Sequence, residues 1–448
     1  MQFPSLKNNI FFKIIGIGLI SLLLLIPSEM IEGLIHERES TQRTAVNEVS
    51  SKWGEEQTIV GPIISLPYNR FVKETSSNNS KDEIIAVKSY IHILPSKLKI
   101  TGSLNPEKRT RGIYEIVVYN SELNFSGTFS QADLKTLDID PKNIIFNKAE
   151  FVVGINDLRG IEEQVTLKWN DRLISFNSGV TSGDVIKSGI NAILNLGEQD
   201  SETYSFEFKL KLKGSRMLYF TPVGKETDVS ITSNWPNPKF NGSFLPDKRE
   251  ISEKGFSAIW NVQHLNRNYP QIWSGGDQSL SSSAFGIDLL LPVDSYHKTT
   301  RCVKYAFLFI AFTFIVFFFI EVLNKVFIHP IQYVLVGISL VIFFSLLLSI
   351  SEHLEFNKAY SISAGATLFL IAAYVFAILK SRNLTILIVG ILCILYTLIF
   401  VIIQLQDYAL LIGSIAMFLI LALVMYFSRK IDWYKLNIIE KDPAENKI

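Results

Sequence analysis

Cysteine is nearly absent, with only Cys302 and Cys393 in 448 residues. Two thiols so far apart exclude a disulfide framework, a cysteine-based zinc site and a CxxC redox pair. Both lie beside or inside apolar runs, where a thiol serves as a small packing residue. A charge excess is missing too: 43 Lys and Arg stand against 42 Asp and Glu, which argues against a nucleic-acid partner and against charge-driven disorder. The patterns G-x-S-x-G, H-E-x-x-H and G-x-x-x-x-G-K-[ST] do not occur, so a nucleophile elbow, a zincin helix and a P-loop have no support. Gly224-Lys225-Glu226-Thr227 fails as a P-loop fragment, because Tyr219 stands where its first glycine is required. The six histidines include no i, i+4 pair, so a metal site would have to be assembled wholly by folding. No cofactor, metal or catalytic residue is expected, and the chain is read as a non-enzyme.

Apolar sequence is what the chain has in quantity. The hydrophobic share is 48% and the charged share 19%, with a mean hydropathy of +0.26. These values demand membrane-spanning runs rather than a larger soluble core. Residues 10 to 26 form the first run, flanked by Lys7 and Lys13 and followed by no small-residue cleavage pair, so it reads as a retained anchor. Five more runs follow at 305 to 324, 331 to 351, 360 to 379, 384 to 404 and 408 to 427, each near the ~20 residues that cross a bilayer. Lys7, Lys13, Lys325, Lys380, Arg382, Arg429, Lys430 and Lys435 then fall on one side, the expected cytoplasm. Arg301 and Lys304 oppose that orientation but flank a long translocated segment, where charge has little influence. The expected organisation is an anchor (1–32), an extracytoplasmic domain (33–300), a five-helix bundle (301–428) and a cytoplasmic tail (429–448). Both termini are expected inside a bacterial inner membrane, with the bilayer as one partner.

The outer segment begins with a helical stalk over 29 to 52 and then changes to short β-branched and aromatic runs punctuated by Gly, Pro and Asn. That texture predicts an all-β, sandwich-like domain, in one or two lobes. The hydrophilic tract Lys73 to Glu83 reads as a solvent loop. Two clusters offer binding chemistry. Arg109, Arg111 and Tyr114 lie in a basic turn that could clamp an anion or carbohydrate, or simply end a hairpin with surface ion pairs. Trp235, Trp260 and Arg267 could stack on a sugar or anchor a protein, or instead form an aromatic core. In the bundle, Glu321, Gln332, Glu352, His353 and Tyr360 are candidates for a polar membrane site, although several lie close to span ends.

A set of motifs in fixed order is similar to the CreD family of bacterial inner-membrane proteins. They are Glu48-Val49, Trp53-Gly54, Gln57 and Gly61-Pro62 within the stretch from Arg43 to Pro67; Arg109 to Tyr114; Gly154-Ile155-Asn156-Asp157-Leu158-Arg159-Gly160; Trp235 to Phe240; Pro292 to Tyr296; Arg301 to Ala306; His329-Pro330-Ile331-Gln332-Tyr333 to Gly337; Ser351-Glu352-His353; and Ala359-Tyr360. The resemblance implies an inner-membrane protein linked to envelope integrity under stress, with no established activity. The combined expectation is a membrane protein, an α-helical bundle plus an all-β domain, that binds or scaffolds an envelope protein or cell-wall component. A transporter or flippase-like role for the polar bundle residues is the alternative.

Overall fold

The computed structural model describes residues 10–75, 82–130, 134–196, 203–291, 295–324, 326–405 and 408–431. Lys7, Lys325, Asp407 and Lys435, the Pro292-Val293-Asp294 step, the centre of the Lys73–Glu83 tract and the tail beyond 431 lie outside these residues. The chain forms two compact units, one of Met1–Thr41 with Val293–Ile448 and one of Gln42–Pro292.

In the helical unit, α1 (Ile10–Leu23) leads into α2 (Leu25–Trp53). The break falls at Leu24 because Pro27 has no N–H to offer and its ring crowds the carbonyl four residues earlier. After the β unit come α3 (Ser295–Lys304), α4 (Ala306–Asn324), α5 (Pro330–Ser351), α6 (Phe356–Leu379), α7 (Arg382–Gln404) and α8 (Ala409–Ser428). Six helices among the described residues are long and apolar enough to cross a membrane. Aromatic side chains fill the bundle centre, where the Phe309 and Phe343 rings lie 4.7 and 4.9 Å from that of Tyr396. The helix α3 has no counterpart in the hydropathy reading, since it is polar overall and buries only Tyr296, Thr299, Cys302 and Val303. Its Arg301 donates to the carbonyls of Ile402 and Leu405 at 3.3 and 3.1 Å. The charge that opposed the expected topology therefore caps the C-terminal end of α7, where unpaired carbonyls attract a cation.

The β unit reads, in chain order, β1 (Gln57–Thr75), β2 (Asp82–Ile93), β3 (Lys97–Arg111), β4 (Tyr114–Ser130), β5 (Ala149–Ile155) and β6 (Thr166–Trp169). It continues with β7 (Arg172–Ser175), β8 (Asn177–Ser178), β9 (Gly189–Leu194), β10 (Thr203–Ser215), β11 (Met217–Phe220) and β12 (Glu226–Ser233). The last strands are β13 (Pro238–Gly242), β14 (Lys248–Ser252), β15 (Gly255–Gln263), β16 (Ile272–Ser274) and β17 (Phe285–Leu289). They build a nine-stranded sheet, β13-β17-β11-β1-β5-β9-β8 with β2 beside β1 and β16 beside β2, and an eight-stranded sheet, β14-β15-β12-β3-β4-β10-β6-β7. The strand β10 shows the period-two logic: Phe206, Phe208, Leu210 and Leu212 are buried while Glu207 and Lys209 are exposed. The strand β5 is buried at every position, so both its faces are covered.

The two sheets share one core. Phe151 of the first sheet lies 5.4 and 5.9 Å from Phe206 and Phe208 of the second. Near the other end Trp260 lies 5.7 Å from Phe240 and 5.6 Å from Phe285. Residues of both sheets belong to a single continuous apolar cluster, which makes the unit one sandwich rather than two lobes with separate cores.

Candidate functional site

A polar cleft of about 810 Å³ opens where the C-terminal turns of α2 meet the sandwich. Thr44, Asn47, Glu48 and Ser51 line it from the helix, Glu55 and Glu56 from the following turn, Asn156 from the end of β5, and Ser215 and Arg216 from the β10–β11 corner. Behind the lining residues Ser51 and Glu55 lies a knot of hydrogen bonds. Buried Gln57 donates from Nε2 to the carbonyls of Asp157 and Lys213 at 2.9 and 3.1 Å, and accepts from the Asp157 N–H at 3.2 Å. The Asp157 carboxylate accepts from the backbone N–H groups of Glu55 and Arg159 and from Arg159 Nε at 2.8 Å. Arg159 completes the circuit by donating to the Ser51 carbonyl at 2.7 Å and to Glu55 at 2.8 Å. Burial pushes the Asp157 carboxyl upward, but its bonds from Arg159 and the two N–H groups outweigh that effect and hold it below the usual carboxylate range.

The floor of the cleft carries two unusual features. Arg216 adopts a left-handed backbone with φ of 64°, a conformation that costs a non-glycine residue about 1–2 kcal/mol. Its N–H donates to the Val117 carbonyl at 3.1 Å and its carbonyl accepts from Leu289 at 2.7 Å, while its side chain reaches Glu56 at 3.3 Å. Beside it the Ser215 side chain is fully buried, and its hydroxyl has no hydrogen-bond partner among the described residues. The cleft thus combines carboxylates, a guanidinium and amides, the mixture that hydrogen-bonds a neutral or cationic polar ligand.

Arg109, Arg111 and Tyr114 close the β3–β4 hairpin, with Arg111 paired to Tyr114 in register. Arg111 binds the Glu48 carboxylate through two nitrogens at 3.1 and 3.3 Å, so it positions a residue of the cleft wall. Arg109 stacks 3.8 Å from the Trp53 ring centre and pairs with Glu107 at 2.7 Å. Each arginine thus uses two of its nitrogens on carboxylates of the protein while its side chain stays exposed at the hairpin end. Trp235, Trp260 and Arg267 do not form a surface platform. Trp260 points into the core because it alternates inward on β15. Trp235 is buried and donates to the Leu290 carbonyl at 3.2 Å. Arg267 donates to the Tyr269 and Val223 carbonyls at 2.6 and 3.2 Å and lies over the Tyr269 ring.

The membrane candidates divide between opposite ends of α5, a helix of 22 residues and therefore about 33 Å long. At its start, Glu321 is ion-paired with Lys13 of α1 and accepts from Tyr333 Oη at 2.9 Å and the Ile328 N–H at 3.2 Å. Lys13 also donates to the Ile328 carbonyl at 2.9 Å. Gln332 accepts from the His329 N–H at 3.0 Å while His329 Nδ1 accepts from Ile331, so the His329-Pro330-Ile331-Gln332 motif is a helix capping box. At the other end, Glu352 accepts from Tyr296 Oη at 3.2 Å and lies 3.6 Å from Arg38. The His353 N–H bonds the Ile350 carbonyl, and Tyr360 Oη donates to the Tyr396 carbonyl at 2.7 Å. Sequence reading used Lys13 only as a topology marker; its tie to Glu321 required the anchor to dock, which no spacing reports.

A third polar group escaped the sequence altogether. On the nine-stranded sheet Ser65 Oγ lies 3.0 Å from His92 Nδ1, and His92 Nε2 lies 3.1 Å from Asp184. Burial lowers the His92 pKa against the opposing pull of Asp184. Ser65 and His92 are both buried, so this chain fixes a loop and offers no open nucleophile. Among the described residues no three His, Cys, Asp or Glu side chains converge to hold a metal ion.

The architecture defines a multi-pass membrane protein built from apolar spanning helices and an all-β sandwich. Comparison with known proteins gives this class a family. The model for inner membrane protein CreD matches residues 9–434, and the chain is 33% identical over 437 residues to "Inner membrane protein CreD" of Escherichia coli (strain K12), covering 97% of this chain and 96% of that protein. The chain belongs to the CreD family and is an inner-membrane protein. Solved structures of an M1 zinc metallopeptidase from Deinococcus radiodurans align over 41% of this chain and 42% of theirs at 9% identity, with a TM-score of 0.20. A form of that enzyme described as bound to a Tyr-Ser-Ala substrate aligns over 48% of this chain and 53% of its own, at 10% identity and a TM-score of 0.20.

Proposed function

We propose that this protein maintains cell-envelope integrity under stress by binding an envelope protein or cell-wall component through its β unit, which lies in the periplasm with both chain termini in the cytoplasm. The reading is non-enzymatic. The observation that carries it is the polar cleft of about 810 Å³, lined by carboxylates, amides, hydroxyls and a guanidinium and backed by the Gln57–Asp157–Arg159 hydrogen bonds. Such a surface recognises by hydrogen bonding, and a preformed one binds without an ordering cost. The bundle supports a platform role better than a transport role. Of its polar candidates, Glu321 and Gln332 lie near one end of α5, Glu352 near the other and Tyr360 on α6, and each of these four is hydrogen-bonded to neighbouring protein groups.

The test is complementation of a deletion strain's sensitivity to envelope-directed agents, with membrane levels confirmed for each variant. Asn156 is exposed at the cleft mouth, so Asn156→Trp fills the volume without touching the core. It is expected to abolish rescue, whereas Leu173→Trp at an exposed strand position is expected to rescue fully. Full rescue by the Asn156 variant would remove the cleft from the function. Failure of a Glu321→Gln, Glu352→Gln double variant that inserts normally would favour transport through the bundle.

A further inference from the structure

The charged groups that line the polar cleft of the β unit already have partners in the protein. Glu48 is bound by Arg111 through two nitrogens and by Lys52 at 2.8 Å, Glu55 by Arg159 at 2.8 Å, and Glu56 by Arg216 at 3.3 Å. Each lining carboxylate thus has its own guanidinium, and the one lining cation, Arg216, is engaged with Glu56. An ionic ligand would have to break one of these pairs to make another. What the cleft leaves open is uncharged. The carboxamides of Asn47 and Asn156 are exposed and have no partner among the described residues. The Ser50 hydroxyl has none there either, although Ser50 is only 7% exposed and lines the same cleft. A carboxamide and a hydroxyl each donate and accept. None of the ten lining residues is apolar, so the cleft lacks the pocket that a hydrophobic anchor of a protein or peptide fills. The ring of Trp53, which stands between Ser51 and Glu55 in sequence, carries Arg109 at 3.8 Å and Lys213 at 4.7 Å, so recognition falls to hydrogen bonds rather than to stacking.

We propose, resting on the binding role assigned to the cleft above, that its ligand is an uncharged oligosaccharide held by the Asn47 and Asn156 carboxamides and the Ser50 hydroxyl. A sugar presents adjacent hydroxyls that donate and accept at once, and it brings no charge for the paired carboxylates to accommodate. The unused lone pairs of a paired carboxylate accept a further hydroxyl without giving up the guanidinium. With no stacking and no apolar anchor the binding is weak, with a dissociation constant on the order of 1 mM.

The experiment uses the full-length protein in nanodiscs, free of sugar detergents, and saturation-transfer difference NMR with chitotetraose. Wild type is expected to transfer saturation to the sugar protons. Ser50→Ala, which puts a better helix former into α2, should weaken binding roughly threefold or more, and Asn47→Ala with Asn156→Ala roughly tenfold or more, through the lost neutral hydrogen bonds. Leu173→Ala, at an exposed strand position, should leave the affinity unchanged. The deacetylated, cationic tetramer and a uronic-acid tetramer should both bind more weakly than chitotetraose. Weakened binding in the Ser50 and Asn variants at an unaltered melting temperature upholds the proposal, even where Asn156→Trp rescues the deletion strain and the envelope role of the cleft falls. Unchanged affinity in those variants overturns it, as does either charged tetramer binding as tightly as the neutral one. Saturation transfer to an end-blocked neutral tetrapeptide but not to chitotetraose also overturns it, while leaving the cleft its binding role in the envelope.

Discussion

The ion pair between Lys13 and Glu321 sets a test of how the anchor helix is held. Side-chain exposure is 18% for Lys13 and 10% for Glu321, so both charges are largely withdrawn from water. Lys13→Met leaves the carboxylate with the Tyr333 hydroxyl and the Ile328 N–H but no counter-charge. Stranding one partner of a buried pair costs roughly 3–5 kcal/mol, and the partial exposure here places the expected loss near 3. Glu321→Gln strands the ammonium instead, yet Lys13 keeps the Ile328 carbonyl at 2.9 Å and the Phe327 ring at 4.5 Å. Those contacts offset part of the loss, leaving about 2 kcal/mol. The double variant Lys13→Met, Glu321→Gln removes both desolvated ions and leaves an amide oxygen to accept from Tyr333 or the Ile328 N–H, a cost of about 2 kcal/mol. The singles therefore sum to about 5 kcal/mol against about 2 for the double, a coupling of about 3 kcal/mol. Reversible unfolding of the full-length protein in mixed micelles measures each term. Additive effects, or a Lys13→Met loss below about 1 kcal/mol, would refute the reasoning and place the pair among solvated surface bridges.

Two further outcomes follow from the β unit. His92 has a pKa lowered by burial, so the unfolded chain, titrating near 6.5, takes up a proton before the folded one. Its stabilising contribution is thus complete above about pH 6.5 and is lost as pH falls toward the folded value, with a slope of at most about 1.4 kcal/mol per pH unit. His92→Asn should flatten that slope in tryptophan-detected urea unfolding between pH 7.5 and 5.5, and an unchanged slope would assign the acid sensitivity elsewhere. Gly160 approaches the Lys213 carbonyl so closely that an added Cβ would lie 2.3 Å from its oxygen and 2.8 Å from Gln57 Nε2. Gly160→Ala should therefore destabilise by about 1–3 kcal/mol, whereas Gly365→Ala, in open space on α6, should stabilise by a few tenths to 1 kcal/mol; melting temperatures of the two variants in one detergent decide it.

The helices were the most legible part of the fold, since a long apolar run has few alternatives in water. The expected spans match α4 to α8 closely, apart from Phe356 to Ala359, whose Asn357 and Lys358 disguise the first turn of α6. The strand β1 was illegible because Pro62 and Pro67 read as strand breakers. In the structure Pro62 sits where the register with β5 shifts between Val60 and Ile63, and Pro67 pairs with Tyr90 beyond the reach of β5 while its carbonyl accepts from Ile145. Tertiary context absorbed both missing donors. The tryptophan cluster left a binding surface and an aromatic core as alternatives for a related reason: sequence proximity gathers aromatic residues, but β alternation decides whether each faces core or solvent, and Trp235 and Trp260 face the core. The cleft could not be read at all, because Asn47, Asn156 and Ser215 come from three elements and each alone is an ordinary polar residue.

Several of the motifs that carried the family resemblance prove to be joints. His329 to Gln332 caps a helix, Arg301 closes another, and Arg111 braces the end of a hairpin against Glu48. Each of these residues is tied to neighbouring protein groups, which gives it a structural role. The motif containing Asn156 to Gly160 differs in consequence: its Asp157 and Arg159 make the knot, while Asn156, one residue earlier, faces the cleft. Ser215 stands beside it with a hydroxyl that neither sheet satisfies. Leaving a buried hydroxyl unpaired costs about 1–3 kcal/mol, and a bend at Arg216 adds its own strain at the same corner. An unpartnered buried hydroxyl and a left-handed backbone thus meet behind the wall of an open polar volume, where the joints around it have neither.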